Sequence, residues 1–156
     1  MRRLFELNVF APLRLAQLAA PLLERARGTI VMMSSIAGVV AAPNYGAYAA
    51  SKFALEAVAM SMRSELATSN VRVVVVRPGP VDTPFRAHAA RAEGTVGYDA
   101  PDPNAQSAEE VARLTLRAVE RGAPVVETSA YVRLAAAASR IAPPALRFVL
   151  RRMATR

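Results

Sequence analysis

The 156-residue chain contains no cysteine and no long apolar run. Without cysteine, disulfides and thiolate metal sites are excluded, which favours a protein of the reducing cytoplasm. No run of about 18 apolar residues occurs, so the sequence predicts no membrane-spanning helix. Glu6 and Asn8 interrupt the N-terminal stretch before the apolar segment of a signal peptide can form.

Lysine is almost absent, because Lys52 is the only lysine among 20 basic residues. These outnumber the 12 acidic residues and give a net charge of +8. Such an excess has two interpretations. It could serve to bind nucleic acid, phosphate or an anionic membrane, or it could be a solvated arginine surface on part of a larger protein. The arginines do not cluster with aromatic residues as they do on nucleic-acid platforms, so no nucleic-acid partner is expected.

Glycine is also scarce, with seven residues, none of which forms the G-x-G-x-x-G fingerprint. That fingerprint places the pyrophosphate of a dinucleotide on a helix N-terminus. The sequence therefore contains no recognisable site for the phosphates of such a cofactor.

What is present is an alternation of helical and strand patterns. Apolar residues make up 53% of the chain, enough for the core of a single domain over 1–156. The alternation predicts an α/β fold with a parallel sheet of about three strands flanked by helices. The predicted strands are 29–35, 70–80 and 124–128, and the predicted helices are 1–24, 45–68, 107–124 and 130–155.

Prolines and glycines mark the interruptions of this pattern. Pro12 and Pro21 are expected to bend or break the first helix, and Pro143 to interrupt the last. Residues 81–106 read as irregular, and we interpret 84–106 as a substrate-binding lid, since long loops inside compact domains usually carry function.

The clearest chemical signal is the pair formed by Tyr48 and Lys52, four residues apart in a predicted helix. That spacing brings both side chains to one helix face. A tyrosine hydroxyl has a pKa of about 10, and a nearby ammonium lowers it toward a useful acid or base. The pair alone is weak evidence, because an interfacial tyrosine beside a solvated lysine would give the same pattern.

Further residues strengthen this signal. Ser35 ends the first predicted strand 13 residues before Tyr48, and Asn8 lies 27 residues before Ser35. Ser34 is the adjacent alternative, although the spacing favours Ser35. The segment RPGPVDT, residues 77–83, follows the second strand, and ligand sites of open α/β sheets lie at such carboxyl ends.

With these motifs, residues 1–85 resemble the catalytic half of the short-chain dehydrogenase/reductase family. The resemblance implies a partial Rossmann-like sheet and hydride transfer between NAD or NADP and a ketone or secondary alcohol. It implies that Tyr48 is the general acid/base, that Lys52 lowers the pKa of Tyr48 and binds the nicotinamide ribose, and that Ser35 holds the substrate oxygen. It further implies roles for Asn8 in a proton relay through water, for Tyr45 in the substrate pocket, and for Pro78, Gly79, Val81 and Thr83 beside the nicotinamide.

The resemblance also has implications for the missing half of the family's domain and for association between subunits. The dinucleotide-binding half of the family is not recognisable here, so we expect a truncated or mis-started gene product that is inactive or nearly so alone. A homodimer or homotetramer through helices 1–24 and 45–68 is implied. The alternative function is a non-catalytic association module that pairs through these two helices with a full-length subunit.

The C-terminal helical segment, 130–156, allows two interpretations. Its end, ALRFVLRRMATR, is basic and amphipathic and could lie on an anionic membrane surface. The favoured interpretation is a helix that covers the substrate pocket or the dimer interface and exposes its arginines.

Overall fold

The computed structural model describes residues 1–84, 102 and 104–154. Most of the predicted lid, 84–106, therefore lies outside the described residues. The helices are α1 (Arg2–Phe5), α2 (Ala11–Ala26), α3 (Gly46–Glu65), α4 (Ala108–Arg121), α5 (Ala130–Ile141) and α6 (Pro143–Ala154). The strands are β1 (Thr29–Met33), β2 (Arg72–Arg77) and β3 (Val125–Glu127).

Three parallel strands form the sheet, in the order β1-β2-β3. Thr29 pairs with Arg72 at one end of the β1–β2 ladder, and Arg77 pairs with Glu127 at one end of the β2–β3 ladder. Because all strands run in one direction, their carboxyl ends meet at one edge. The prediction of an α/β fold with about three parallel strands and flanking helices is confirmed.

The core lies between α3 and the sheet. Leu55 and Ala59 of α3 are 2% and 0% exposed, and they belong to one cluster with Val73 and Val75 of β2. The uninterrupted valine run of β2 is buried on both faces, as expected for the middle strand of a parallel sheet.

Strand β1 is less covered than β2. Ile30 and Met32 are buried, whereas Val31 and Met33 are 39% and 47% exposed. Within the described residues β1 pairs with β2 alone, so its other edge offers unpaired backbone groups.

The N-terminal helical run continues through both prolines to Ala26. Pro12 lies in the first turn of α2, where its missing N–H costs least, and Pro21 is exposed within α2. Between α1 and α2 the run widens into one π-helical segment, Glu6–Phe10.

The C-terminal helices follow their sequence signals. Ser107 caps α4 by accepting a hydrogen bond of 3.1 Å from the Glu110 N–H, and Gly122 ends it in the left-handed conformation. A break before Pro143 separates α5 from α6, as predicted. Among the residues that the structure describes, no helix combines the length and apolarity needed to cross a bilayer.

Candidate active site

Tyr48 and Lys52 lie one turn apart on α3, as their spacing predicts. The Lys52 ammonium nitrogen is 5.8 Å from the centre of the Tyr48 ring. It donates a hydrogen bond of 2.9 Å to the carbonyl oxygen of Met33, the last residue of β1. The only lysine of the chain is therefore buried beneath the tyrosine and tied to the carboxyl end of the sheet.

The two neighbouring serines have different surroundings. The Ser35 hydroxyl hydrogen-bonds with the Tyr48 side chain, and it also accepts a bond of 3.1 Å from the Ala37 N–H. Ser34 is 4% exposed, and its Oγ has no hydrogen-bond partner among the described residues. Ser34 Oγ lies beside Gly38, where an added Cβ would come within 2.6 Å of it. The contact with Tyr48 therefore favours Ser35 over Ser34 as the polar group of the site.

Asn8 lies in the π-helical segment, a feature that often marks functional sites. Its Nδ2 donates a hydrogen bond of 3.0 Å to Ser51 Oγ, and Ser51 in turn donates one of 2.7 Å to the Tyr48 carbonyl oxygen. Asn8 thus fastens the N-terminal helical run to α3 next to Lys52. The expected relay from Asn8 to Lys52 through water stays a prediction.

Burial shifts both titrating groups away from their charged forms. Burial raises the pKa of Tyr48 most strongly, the hydrogen bond from Ser35 lowers it, and the neighbouring Tyr45 raises it. Burial also lowers the pKa of Lys52. Burial therefore favours the protonated form of the Tyr48 phenol, and the lowering of its pKa by Lys52 stays a prediction.

We expect a titration of the phenols to reproduce these directions. Subtracting the ultraviolet phenolate signal of Tyr48→Phe from that of the native chain isolates Tyr48 among the four tyrosines. Its pKa should lie above the ordinary tyrosine value of about 10. Ser35→Ala should raise this pKa further, because the serine stabilises the phenolate. A Tyr48 titration at or below the ordinary value would contradict the described burial.

The Pro-Gly segment lies at the carboxyl end of β2. Pro78 is buried, and its carbonyl oxygen accepts a bond of 2.8 Å from the Ile36 N–H. A Cβ on Gly79 would lie 3.1 Å from a Val132 methyl of α5, which is tighter than ordinary van der Waals contact, so the backbone packs closely against α5 here. The segment is therefore held next to Ser35 on one side and under α5 on the other.

Val81 and Thr83 continue this segment, and both are half-buried. Val81 forms an isolated parallel bridge with Gln106, and the Asp82 N–H donates a bond of 2.9 Å to the Gln106 carbonyl oxygen. Tyr45, at the N-cap of α3, is half-buried close to Tyr48. The nine residues singled out from the sequence thus lie on the loops that follow β1 and β2, on α3 and its N-cap, and on the π-helical segment bonded to α3.

The sequence analysis missed a buried ion network beside this edge. Arg77 is 6% exposed and binds both carboxylate oxygens of Glu56, at 2.9 and 2.8 Å. It also bonds to Glu127 at 3.0 Å. Glu56 follows Lys52 by one helical turn, and Arg77 directly precedes Pro78. Their closeness in sequence to the Tyr48–Lys52 pair and to the Pro-Gly segment was the only signal that could have indicated this network.

Comparison with known proteins identifies the family of the chain. The sequence model described as short chain dehydrogenase matches residues 1–94. The chain is 40% identical over 116 residues to Dehydrogenase/reductase SDR family member 7B of Rattus norvegicus, covering 72% of this chain and 35% of that protein. It is 42% identical over 86 residues to Uncharacterized oxidoreductase YbbO of Escherichia coli K12, covering 54% of this chain and 32% of that protein. The chain therefore spans about a third of the length of the curated relatives it matches.

Solved structures share the fold. A short chain dehydrogenase from Burkholderia cenocepacia, solved in complex with NADP, is 29% identical with a TM-score of 0.79 and matches 94% of this chain and 56% of its own. A short-chain dehydrogenase from Sphingobium yanoikuyae, in complex with NADPH, is 26% identical with a TM-score of 0.69. The match covers 92% of this chain and 53% of that protein. The fold is thus Rossmann-like, and the chain belongs to the short-chain dehydrogenase family.

Proposed function

We propose that the protein to which this chain contributes transfers a hydride between NAD(P)(H) and a ketone or secondary alcohol. One observation carries the proposal: the hydrogen bond between Ser35 and Tyr48, with the buried Lys52 ammonium 5.8 Å from the tyrosine ring. An acid/base, a polar group beside it and a cation are the groups that polarise a carbonyl and move a proton. The NADP and NADPH bound to the two similar structures support this cofactor class.

The residues present fit the nicotinamide end of this cofactor. The closely packed Gly79 and the buried Pro78 border the site, and Lys52 brings three hydrogen-bond donors, of which the Met33 carbonyl takes one. Val81 and Thr83 would contact the carboxamide. The sequence has no glycine-rich fingerprint for the pyrophosphate, so binding of that part is proposed to need residues beyond these 156.

The chemistry follows from the arrangement of these side chains. In reduction, Tyr48 donates its phenolic proton to the substrate oxygen while Ser35 hydrogen-bonds to the same oxygen. Lys52 stabilises the phenolate that remains, since its charge lies close in a water-poor site. When bound, the cofactor would supply a hydride for the carbonyl carbon. Asn8 acts through Ser51, which holds the first turns of α3 in position.

Association through the helices is part of this proposal. Exposed apolar side chains line the N-terminal helical run and α3, in a pattern that suits a homodimer or homotetramer. They are Leu7, Phe10, Leu15, Leu18, Leu22, Phe53 and Met60. The same surface supports the alternative function, a non-catalytic module that pairs with a full-length subunit.

A completed protein tests the proposal. We would join the dinucleotide-binding segment of the Burkholderia cenocepacia protein in front of residue 1 and measure binding of NADPH and NADH. The completed protein should bind one of them and oxidise it with a panel of ketones, whereas the 156-residue chain should do neither. Cofactor binding without reduction of any ketone would contradict the proposal. The association module would be favoured if Tyr48→Phe left the turnover of a co-purified full-length subunit unchanged.

A further inference from the structure

An open groove lies between the loop that follows Ser35 and the last helix. Its volume is about 340 Å³, at the lower end of the roughly 300–1,000 Å³ of small-molecule sites. Ala41, Ala42 and Pro43 form the wall on the loop side. The other wall consists of Arg147, Leu150 and Arg151 of α6.

The groove adjoins the candidate active site through this loop. The Ile36 N–H, just after Ser35, donates to the Pro78 carbonyl oxygen at 2.8 Å. At the other end of the loop, the Tyr45 N–H donates to the Ala42 carbonyl oxygen at 3.2 Å. The apolar wall is thus the segment that connects Ser35 to Tyr45. A ligand in the groove would contact the loop that joins two residues proposed to hold the substrate, Ser35 and Tyr45.

Two arginines give the groove its charge. Arg147 and Arg151 are four residues apart, so they lie on the same face of α6 as Leu150. No acidic residue occurs anywhere in 128–156, and Lys52 is the only charged residue in 28–55. The two ion pairs observed among the described residues, Arg77 with Glu56 and Arg77 with Glu127, involve neither Arg147 nor Arg151. The groove therefore combines two guanidinium groups with no neutralising carboxylate from either wall.

The orientation of α6 favours a small ligand over a membrane. Phe148 and Val149 are 58% and 54% exposed, on faces of α6 other than the groove face. Arg152 packs over the Phe148 ring at 4.7 Å, on the outer side. A bilayer would engage that outer side, whereas Arg147 and Arg151 are directed to the groove.

We propose that this groove binds the anionic group of the substrate, so that the substrate class is carbonyl or alcohol compounds that carry a carboxylate or a phosphate on an aliphatic chain. This inference rests on the proposed function for the location of the reacting carbon. Guanidinium groups bind carboxylate and phosphate through paired, charge-assisted hydrogen bonds. The alanine, proline and leucine side chains suit the aliphatic part.

Calorimetric titration of the 156-residue chain with octanoate, octyl phosphate and 1-octanol tests the inference without cofactor or turnover. Octanoate or octyl phosphate should bind, and comparison of the two identifies the preferred anion. 1-Octanol should bind at least about tenfold more weakly. The double variant Arg147→Gln/Arg151→Gln should weaken anion binding by about ten- to a hundredfold and leave the affinity for 1-octanol unchanged. Arg147→Lys/Arg151→Lys should restore part of the affinity.

A matched control exists on α4. Arg113 and Arg117 are exposed and have the same four-residue spacing, so Arg113→Gln/Arg117→Gln removes the same charge away from the groove. This variant should bind octanoate as the native chain does. Circular dichroism of each variant establishes that α6 remains folded.

Three results would overturn the inference. They are absence of anion binding, equal affinity for 1-octanol, and equal loss in the α4 control. Binding to phosphatidylglycerol vesicles that needs Arg147 and Arg151, without octanoate binding, would assign the arginines to a membrane instead. Failure of the proposed function is distinguishable, because Tyr48→Phe should slow hydride transfer by the completed protein at least about a hundredfold and leave octanoate binding unchanged.

Discussion

Replacing Tyr48 by phenylalanine is expected to lower kcat of the completed protein by about 10²- to 10⁴-fold, the usual contribution of a positioned general acid or base. The ring would still fill its half-buried place on α3. What is lost is the hydroxyl that hydrogen-bonds with Ser35 and that is proposed to carry the transferable proton. The binding of NADPH or NADH should change little, and steady-state kinetics with separately measured cofactor affinity checks both parts.

Tyr45→Phe is the matched control for this prediction. It removes the phenolic hydroxyl from another half-buried tyrosine, three residues earlier in the chain. Because Tyr45 is proposed to shape the substrate pocket and not to transfer the proton, KM should change more than kcat. Equal losses of kcat in both variants would contradict the assignment of Tyr48 as the acid/base.

Replacing Arg77 by methionine is expected to lower the free energy of unfolding by about 3–5 kcal/mol. Arg77 is 6% exposed, and its guanidinium forms ion pairs with the carboxylates of both Glu56 and Glu127. The pKa of Arg77 is raised, chiefly by the hydrogen bonds to Glu56. Removing the cation leaves two partly buried carboxylates without their partner, and such uncompensated charges are costly.

Urea unfolding of the 156-residue chain measures this loss. Arg72→Met is the control, because Arg72 begins the same strand but is exposed and should cost far less. Adding Glu56→Gln to Arg77→Met should recover part of the stability, since it removes one unpaired charge. Equal destabilisation by Arg72→Met and Arg77→Met would contradict the buried network.

Local patterns predicted most of the fold and much of the site. The valine run of β2, the apolar run of β1 and the caps at Ser107 and Gly122 each act within a few residues, so the sequence reveals them directly. The spacing of Tyr48 and Lys52 works in the same way, because one helical turn brings them together.

Long-range contacts were beyond the reach of the sequence. Arg77 bonds to residues 21 and 50 positions away, and Asn8 bonds to Ser51 across 43 positions. No local rule selects such partners. The direction of the shift in the Tyr48 pKa also depends on tertiary burial. The upward effect of burial outweighs the downward effect of the hydrogen bond from Ser35.

The reaction proposed for this site is hydride transfer with Tyr48 as the proton donor. Its most direct measurement uses the completed protein, a ketone that it reduces, and whichever of NADPH and NADH it binds, with both hydrogens at nicotinamide C4 replaced by deuterium. Mass spectrometry of the alcohol should find one deuterium on the carbinol carbon, at a rate that falls at least about a hundredfold in Tyr48→Phe. An alcohol without deuterium, or an equal rate of deuterium transfer in the variant, would contradict the account.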